Sequence, residues 1–524
     1  MTSRLSRAEL SAAERGLRSR IVQIASGERF LHGTLSERSS KCGKPNLPVR
    51  QRRGASFAVS GAERAGQCAP TVHSEGVAGP GAPRRRRVPG DATPPAGSFR
   101  TGVATLPGKE GPPILRRLIA YSEKVFRFSA ELIAGITDRR LEPRIATATV
   151  AKSAAVMFWA RMGSLNALEM SCQSRFWKHW LGGPLPSADT IGNVHSKMDS
   201  STLRDAMHQV YGQLKRNKAL PDNRGISLAI VDGHESHTSY LRHCSGCLER
   251  TIHCPTGDRV QYYHRQVTLL LVPGAPANRK PLRIPLDHEP QLAGEDEVAT
   301  AKRLLARVID RYPRAFDLVL ADALYARADF FNFLLDRNKH ALVVLKDERR
   351  NLYQDVAGLF SVVPPVKGTF RSRDCLWWDF PDLHSWPEVK TPVRVIRSLE
   401  TRSIKRQLDH KRETLISDWV WVTTLPSDLA TVKRCVEFGH QRWDVENHGF
   451  NELVNGWHAD HVMKHDATAI ECFLLMAFLT LILYHAFIYL NLKPAIRKNK
   501  SEEYWAKLMA AEIYGDLTPS AMSP

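Results

Sequence analysis

Two aspartates close short apolar runs: Asp232 follows ISLAIV and Asp322 follows FDLVLA. A strand that stops at a carboxylate delivers it to the rim of a buried sheet, where a ligand can reach it. Downstream, Glu446 lies in GHQRWDVENHGFNEL, and Val432, Val436, Trp443, Phe450, Leu453 and Trp457 around it predict one long helix. Several carboxylates meeting at one point suit magnesium or manganese, hard cations that take oxygen ligands and keep positions open for phosphate. Two such ions ~3.5–4 Å apart activate an attacking hydroxyl and neutralise a leaving oxygen in phosphodiester chemistry. A lone aspartate after a strand is more often a turn or cap residue. Here two recur at 322 − 232 = 90 residues, with the glutamate 446 − 322 = 124 residues further on. Glu235 and Asp329 are acidic neighbours, but neither falls where the strand ends and the helix jointly point. Arg442 stands one helical turn before Glu446, where it can orient that carboxylate, bind a DNA phosphate, or form a plain salt bridge.

A second constellation lies in SYLRHCSGCLERTIHC, with His243, Cys244, Cys247, His253 and Cys254. Cys244, Cys247, His253 and Cys254 would supply four tetrahedral ligands to a structural zinc ion, with reduced, unliganded cysteines as the competing account. Trp377, Trp378, Trp386, Trp419 and Trp421 offer faces on which a flipped base would stack, although alternating strand residues bury such side chains routinely.

These residues need elements to hold them. Ile226 to Val231, Tyr262 to Val272 and Lys280 to Leu286 read as an antiparallel meander, and residues 294–312 as a helix with acidic Glu295, Asp296 and Glu297 in its first turn. Phe316 to Ala321 is a fourth strand, Phe330 to Leu335 a short helix and His340 to Leu345 a fifth strand. That order predicts an α/β fold, a ribonuclease H-like mixed sheet with helices on both faces. An N-terminal all-α domain precedes it and a β-rich insertion domain interrupts it. The expected division is a disordered basic extension over 1–113, a helical and DNA-binding candidate over 114–220, and catalytic sequence over 221–350. A β-rich insertion at 351–428, the Glu-bearing and C-terminal helices at 429–493 and a tail at 494–524 complete it.

With these motifs, IVDGHE, LADALYARADFF and GHQRWDVENHGFNEL, residues 115 to 493 resemble the DDE transposases of bacterial insertion sequences, in the branch with a β-rich insertion before the glutamate. In that branch the helix reads Tyr, two residues, Arg, three residues, Glu, six residues, Lys. Arg442 and Glu446 match, whereas Gly439 takes the Tyr place and Leu453 the Lys place. The resemblance implies metal-dependent cleavage and strand transfer at terminal inverted repeats, with Asp232, Asp322 and Glu446 as catalytic metal ligands and a homodimer as the acting form.

Composition agrees with a polyanionic partner: the chain has 524 residues, a formal charge of +20 and a pI near 9.7. Its first thirty residues carry Arg4, Arg7, Arg15, Arg18 and Arg20 without the apolar core of a secretory signal, which predicts a cytoplasmic, nucleoid-associated protein. Nine cysteines in this length fit reduced thiols or a metal site better than a disulfide framework. Residues 1–113, with Arg84 to Arg87, read as a basic arm tracking DNA or, preferably, as an extension from a misplaced start. Cys472 to Leu490 is long and apolar enough to span a bilayer, but Glu471 and His485 favour a buried core helix and no membrane. Two rivals remain: a DNA-binding remnant without catalysis, which metal-dependent nicking would separate, and a ribonuclease H-like nuclease that cleaves without joining.

Overall fold

The computed structural model describes residues 113–255, 257–274, 280–346, 350–406, 410–515 and 517, apart from the side chain of His448. The expected extension over 1–113 falls, except for Pro113, outside the described residues. The strands are β1 (Leu228–Ser239), β2 (Leu248–Ile252), β3 (Arg259–Val272), β4 (Ile284–Pro290), β5 (Leu318–Ala321), β6 (His340–Val344), β7 (Val366–Phe370), β8 (Arg373–Leu383), β9 (Val393–Lys405) and β10 (Arg412–Thr423). They form one ten-stranded sheet in the order β2-β3-β1-β5-β6-β10-β9-β8-β7, with β4 also paired to β3. Strands β1, β3 and β4 run antiparallel, while β1, β5 and β6 run parallel. This mixed order is that of a ribonuclease H-like sheet. The continuous apolar runs LVLA and HALVV suit β5 and β6, which are buried on both faces.

The β-rich segment does not fold as a separate block. Strand β10 pairs antiparallel with β6, Trp421 opposite Val344, and β9, β8 and β7 continue outward as a meander. Without β10, the outer edge of β6 would present unpaired amides. A helix over Asn351–Val362, which composition did not announce, leads into it, and the Trp378 indole N–H donates to the Val363 carbonyl at 2.8 Å.

Strand periodicity divides the core between two faces. Ala229, Val231, Val319, Ala321, Ala341 and Val343 pack against the helix Glu297–Arg311, the N-terminal helices and the long helix Ala467–Ala486. Leu228, Ile230, Leu318, Leu320, Leu342 and Val344 face the other way, onto Val436, Phe438 and Val445 of the Glu446 segment. Residues 114–216 are helical, as expected, but share one core with the sheet: Leu115, Trp159 and Leu203 join Leu475 and Phe478 there. The run from Cys472 to Leu490 lies in the central helix of that core and is almost wholly buried inside the protein. Residues expected as a tail form a helix, Glu502–Tyr514, whose Trp505, Met509 and Ile513 are buried. Its Glu512 accepts from the Leu115 amide at 2.8 Å, satisfying a free N–H at the start of the helix Ile114–Phe126.

Candidate active site

Asp232 does not end its strand; β1 runs on to Ser239, and Asp232 faces Thr268 of β3. On its other side the ladder to β5 stops at Ile230, two residues before Asp232. Asp322 follows the last residue of β5 and caps a 3₁₀ turn, accepting from the Leu324 amide at 2.9 Å. Alternation does the aiming. Asp232 shares the parity of Leu228 and Ile230, and Asp322 that of Leu318 and Leu320, so both carboxylates belong to the face on which the Glu446 segment packs.

That segment is not one uniform helix. A helix over Val432–Gln441 gives way to a π-helical stretch, Val445–Phe450, then to a helix over Asn451–Trp457. Glu446 is the second residue of the wide stretch, a form that recurs at functional sites. Buried Arg442 lies between the acids, 3.7 Å from the Asp232 carboxylate and 3.4 Å from that of Glu446, and its guanidinium sits over the Trp443 ring. Burial pushes the Asp232 carboxyl up to about 7; Arg442 opposes this, and the charges of Asp322, Glu297 and Glu446 add to it. The cluster thus carries more negative charge than Arg442 offsets, and its donors are carboxylate oxygens. Asp232, Asp322 and Glu446 are not among the groups of described residues whose ligand atoms all lie within 4.8 Å of one another, so what suits a hard divalent cation here is the donor chemistry of carboxylate oxygens.

Glu297 was legible only as a helix-start acid. The structure puts it directly behind the strand, where a Cβ on Gly233 would stand 2.2 Å from its carboxylate. Arg265 pairs with it, and the hydroxyl of fully buried Tyr325 donates to it at 2.8 Å. Burial and the charges of Glu297, Asp232 and Asp322 hold the Tyr325 phenol protonated, so it remains a donor. Local sequence carried no signal for this contact.

Residues 284–483 match the family model of the transposase DDE domain. This stretch of the chain is similar to a transposase DDE domain. The match takes in Asp322, Arg442 and Glu446, whereas Asp232 lies before it. Among curated proteins, none matches the chain.

The two departures from the helix signature have structural causes. A Cβ at Gly439 would come within 2.4 Å of the Trp421 indole, so no larger side chain fits there. Leu453 is 4% exposed and belongs to the core. Glu235 is taken up by Arg250 at 2.7 Å and Asp329 by Lys302 at 2.7 Å. Of the insertion tryptophans, Trp377, Trp378 and Trp421 are buried, and Trp386 packs on Phe331. Trp419 is half-buried, stacked on Trp421 at 5.9 Å and edge-on to Trp443 at 6.4 Å.

The cysteine cluster assembles differently from expectation. Cys244 and Cys247 do come together, but His253 pairs with Asp258 at 2.9 Å in an exposed position, and the Cys254 sulfur is not part of the group whose ligand atoms meet. His264 of β3 and His465, just before the central helix, take their places. His243 instead stacks on Tyr262 at 4.7 Å. All seven cysteines among the described residues are free.

Proposed function

We propose that Asp232, Asp322 and Glu446 hold two magnesium or manganese ions and that the chain uses them as a transposase to cut and join DNA at its terminal inverted repeats. The observation that carries this reading is the position of Arg442, within 4 Å of both Asp232 and Glu446, while the charge of Asp322 acts on Asp232 from the neighbouring strand. When bound, such ions supply charge neutralisation at the scissile phosphate and a more acidic attacking hydroxyl. The chain's own residues set the geometry. The Leu324 amide fixes the Asp322 carboxylate, Arg442 orients Asp232 and Glu446, and Glu297 with Tyr325 stiffens β1 from behind.

The reaction read from this site has two exchanges. Water attacks a phosphodiester at the element's end, releasing a 3′ hydroxyl; that hydroxyl then attacks a target phosphodiester, and the target's own 3′ oxygen leaves. Neither exchange needs an external energy source. We further read the acting form as a dimer spanning paired ends, at work in the bacterial cytoplasm on the nucleoid.

The test is a nicking and strand-transfer assay on labelled terminal DNA with magnesium or manganese. Alanine at Asp232, Asp322 or Glu446 is expected to abolish cleavage and leave DNA binding intact. Full cleavage by Asp232→Ala would overturn the reading, and cleavage without joined products by the unaltered chain would reduce it to that of a nuclease.

A further inference from the structure

The strongest unassigned feature is the meeting of Cys244, Cys247, His264 and His465, whose ligand atoms all lie within 4.8 Å of one another. The two thiols sit in a tight turn: the Cys247 amide donates to the Cys244 carbonyl at 3.1 Å, and the Cys244 amide to the Cys247 sulfur at 3.3 Å. His264 Nε2 is 3.4 Å from Cys244 Sγ and 3.3 Å from Cys247 Sγ, and His465 Nε2 is 3.4 Å from Cys247 Sγ. The sulfurs are 3.9 Å apart, far beyond the ~2.05 Å of a disulfide.

These separations are those of a tetrahedron's edges. Zinc bonds of about 2.3 Å to sulfur and about 2.0–2.1 Å to nitrogen imply sulfur–sulfur edges of ~3.8 Å and sulfur–nitrogen edges of ~3.6 Å. Hydrogen bonding explains less. Cys247 Sγ meets Cys244 Sγ and both imidazole nitrogens, yet a thiol has one proton to give. One cation at the centre satisfies all four donors, and two thiolates with two imidazoles select zinc over a hard ion. The surroundings are built for close approach: a Cβ at Gly246 would stand 2.8 Å from Ala467, so the turn lies directly on the first residue of the central helix.

We propose that Cys244, Cys247, His264 and His465 form a structural zinc site. It joins two pieces of chain that flank the acidic cluster. Cys244 and Cys247 follow β1, the strand of Asp232, and His264 lies on β3 opposite Ser236 of β1. His465 follows the segment that carries Glu446, past its last helix ending at Trp457. Zinc therefore fixes the Glu446 segment to the strand of Asp232 at a point away from the carboxylates. This site stands independently of the catalytic reading, since its ligands include none of the three acids.

The test is elemental analysis of the full chain purified without chelator. One zinc per chain is expected; Cys247→Ser and His465→Ala should lose it, whereas His253→Ala, Cys254→Ser and Asp232→Ala should keep it. Cobalt added to chelator-treated protein should give the intense visible bands of a tetrahedral thiolate site, and these should vanish in Cys247→Ser. Should a substituted chain fail to fold, the cobalt spectrum of the unaltered chain decides alone. Less than a tenth of an equivalent of zinc together with an octahedral cobalt spectrum would overturn the proposal. So would zinc loss in Cys254→Ser equal to that in Cys247→Ser.

Discussion

Gly439 lies against the Trp421 indole so closely that one added carbon would stand 2.4 Å from the ring. The contact docks the helix Val432–Gln441 on the sheet, and it explains why the tyrosine of the family signature is missing there. Gly439→Ala is expected to cost about 1–3 kcal/mol through overpacking, although alanine is the better helix former. Thermal unfolding checks this. Trp421→Phe, which shrinks the ring, should recover part of the loss in the double variant, and strict additivity would show that the two residues do not meet.

The Glu297–Tyr325 contact behind Asp232 should tune the site without touching DNA. Tyr325→Phe removes the donor at 2.8 Å and leaves Arg265 as the partner of Glu297. Loss of a supporting contact of this kind typically costs about 10–100-fold in metal affinity or activity. The magnesium concentration that half-saturates nicking should rise, with terminal DNA binding unchanged. An unaltered magnesium requirement would leave the pair a purely structural role.

A third expectation concerns pH. His485 in the central helix is buried, which disfavours its charge, yet Glu452 at 2.7 Å and Glu502 at 3.5 Å raise its pKa to about 10. Arg161 stands 3.9 Å from Glu452 and 3.8 Å from Glu502, Lys280 is 3.7 Å from Glu502, and the rings of Tyr484 and Tyr489 close the pocket. In the unfolded chain the imidazole titrates near ~6.5. The folded value is the higher one, so the stabilisation is complete below pH ~6.5 and fades as pH rises towards 10. His485→Gln should cost about 1.5–3 kcal/mol near neutrality, because two half-buried carboxylates lose the nearest of their cationic partners. The difference in melting temperature between the two chains should narrow from pH 7 to pH 10. A constant difference would mean that the histidine is neutral in the fold.

How much could be read in advance depended on how local the cause was. Asp232 and Asp322 were visible because apolar runs announce strands, and the alternation of those runs already places both acids on one face. The wide turn at Glu446 was not visible, since its apolar spacing resembles that of a regular helix. Strands 366–370 and 373–383 pair with one another, and the second also pairs with β9, so the sheet they extend is a matter of long-range pairing that no local pattern states. Cys244 and Cys247 stood out by spacing. His264 was hidden in the strand run YYHRQV, and His465 is 465 − 247 = 218 residues away. Glu297 looked like a helix-start acid, which it is; only the fold shows that its carboxylate also reaches the back of Gly233.

Strands β7 to β10 are hydrogen-bonded onto β6, which is hydrogen-bonded to β5 and so to the residue before Asp322. No tether separates them. DNA gripped on these outer strands would therefore be indexed to the carboxylates by a fixed number of 4.8 Å strand spacings rather than by a swinging arm. A slip of one register anywhere across those ladders would shift the outer strands relative to Asp322, so their placement is set by backbone pairing.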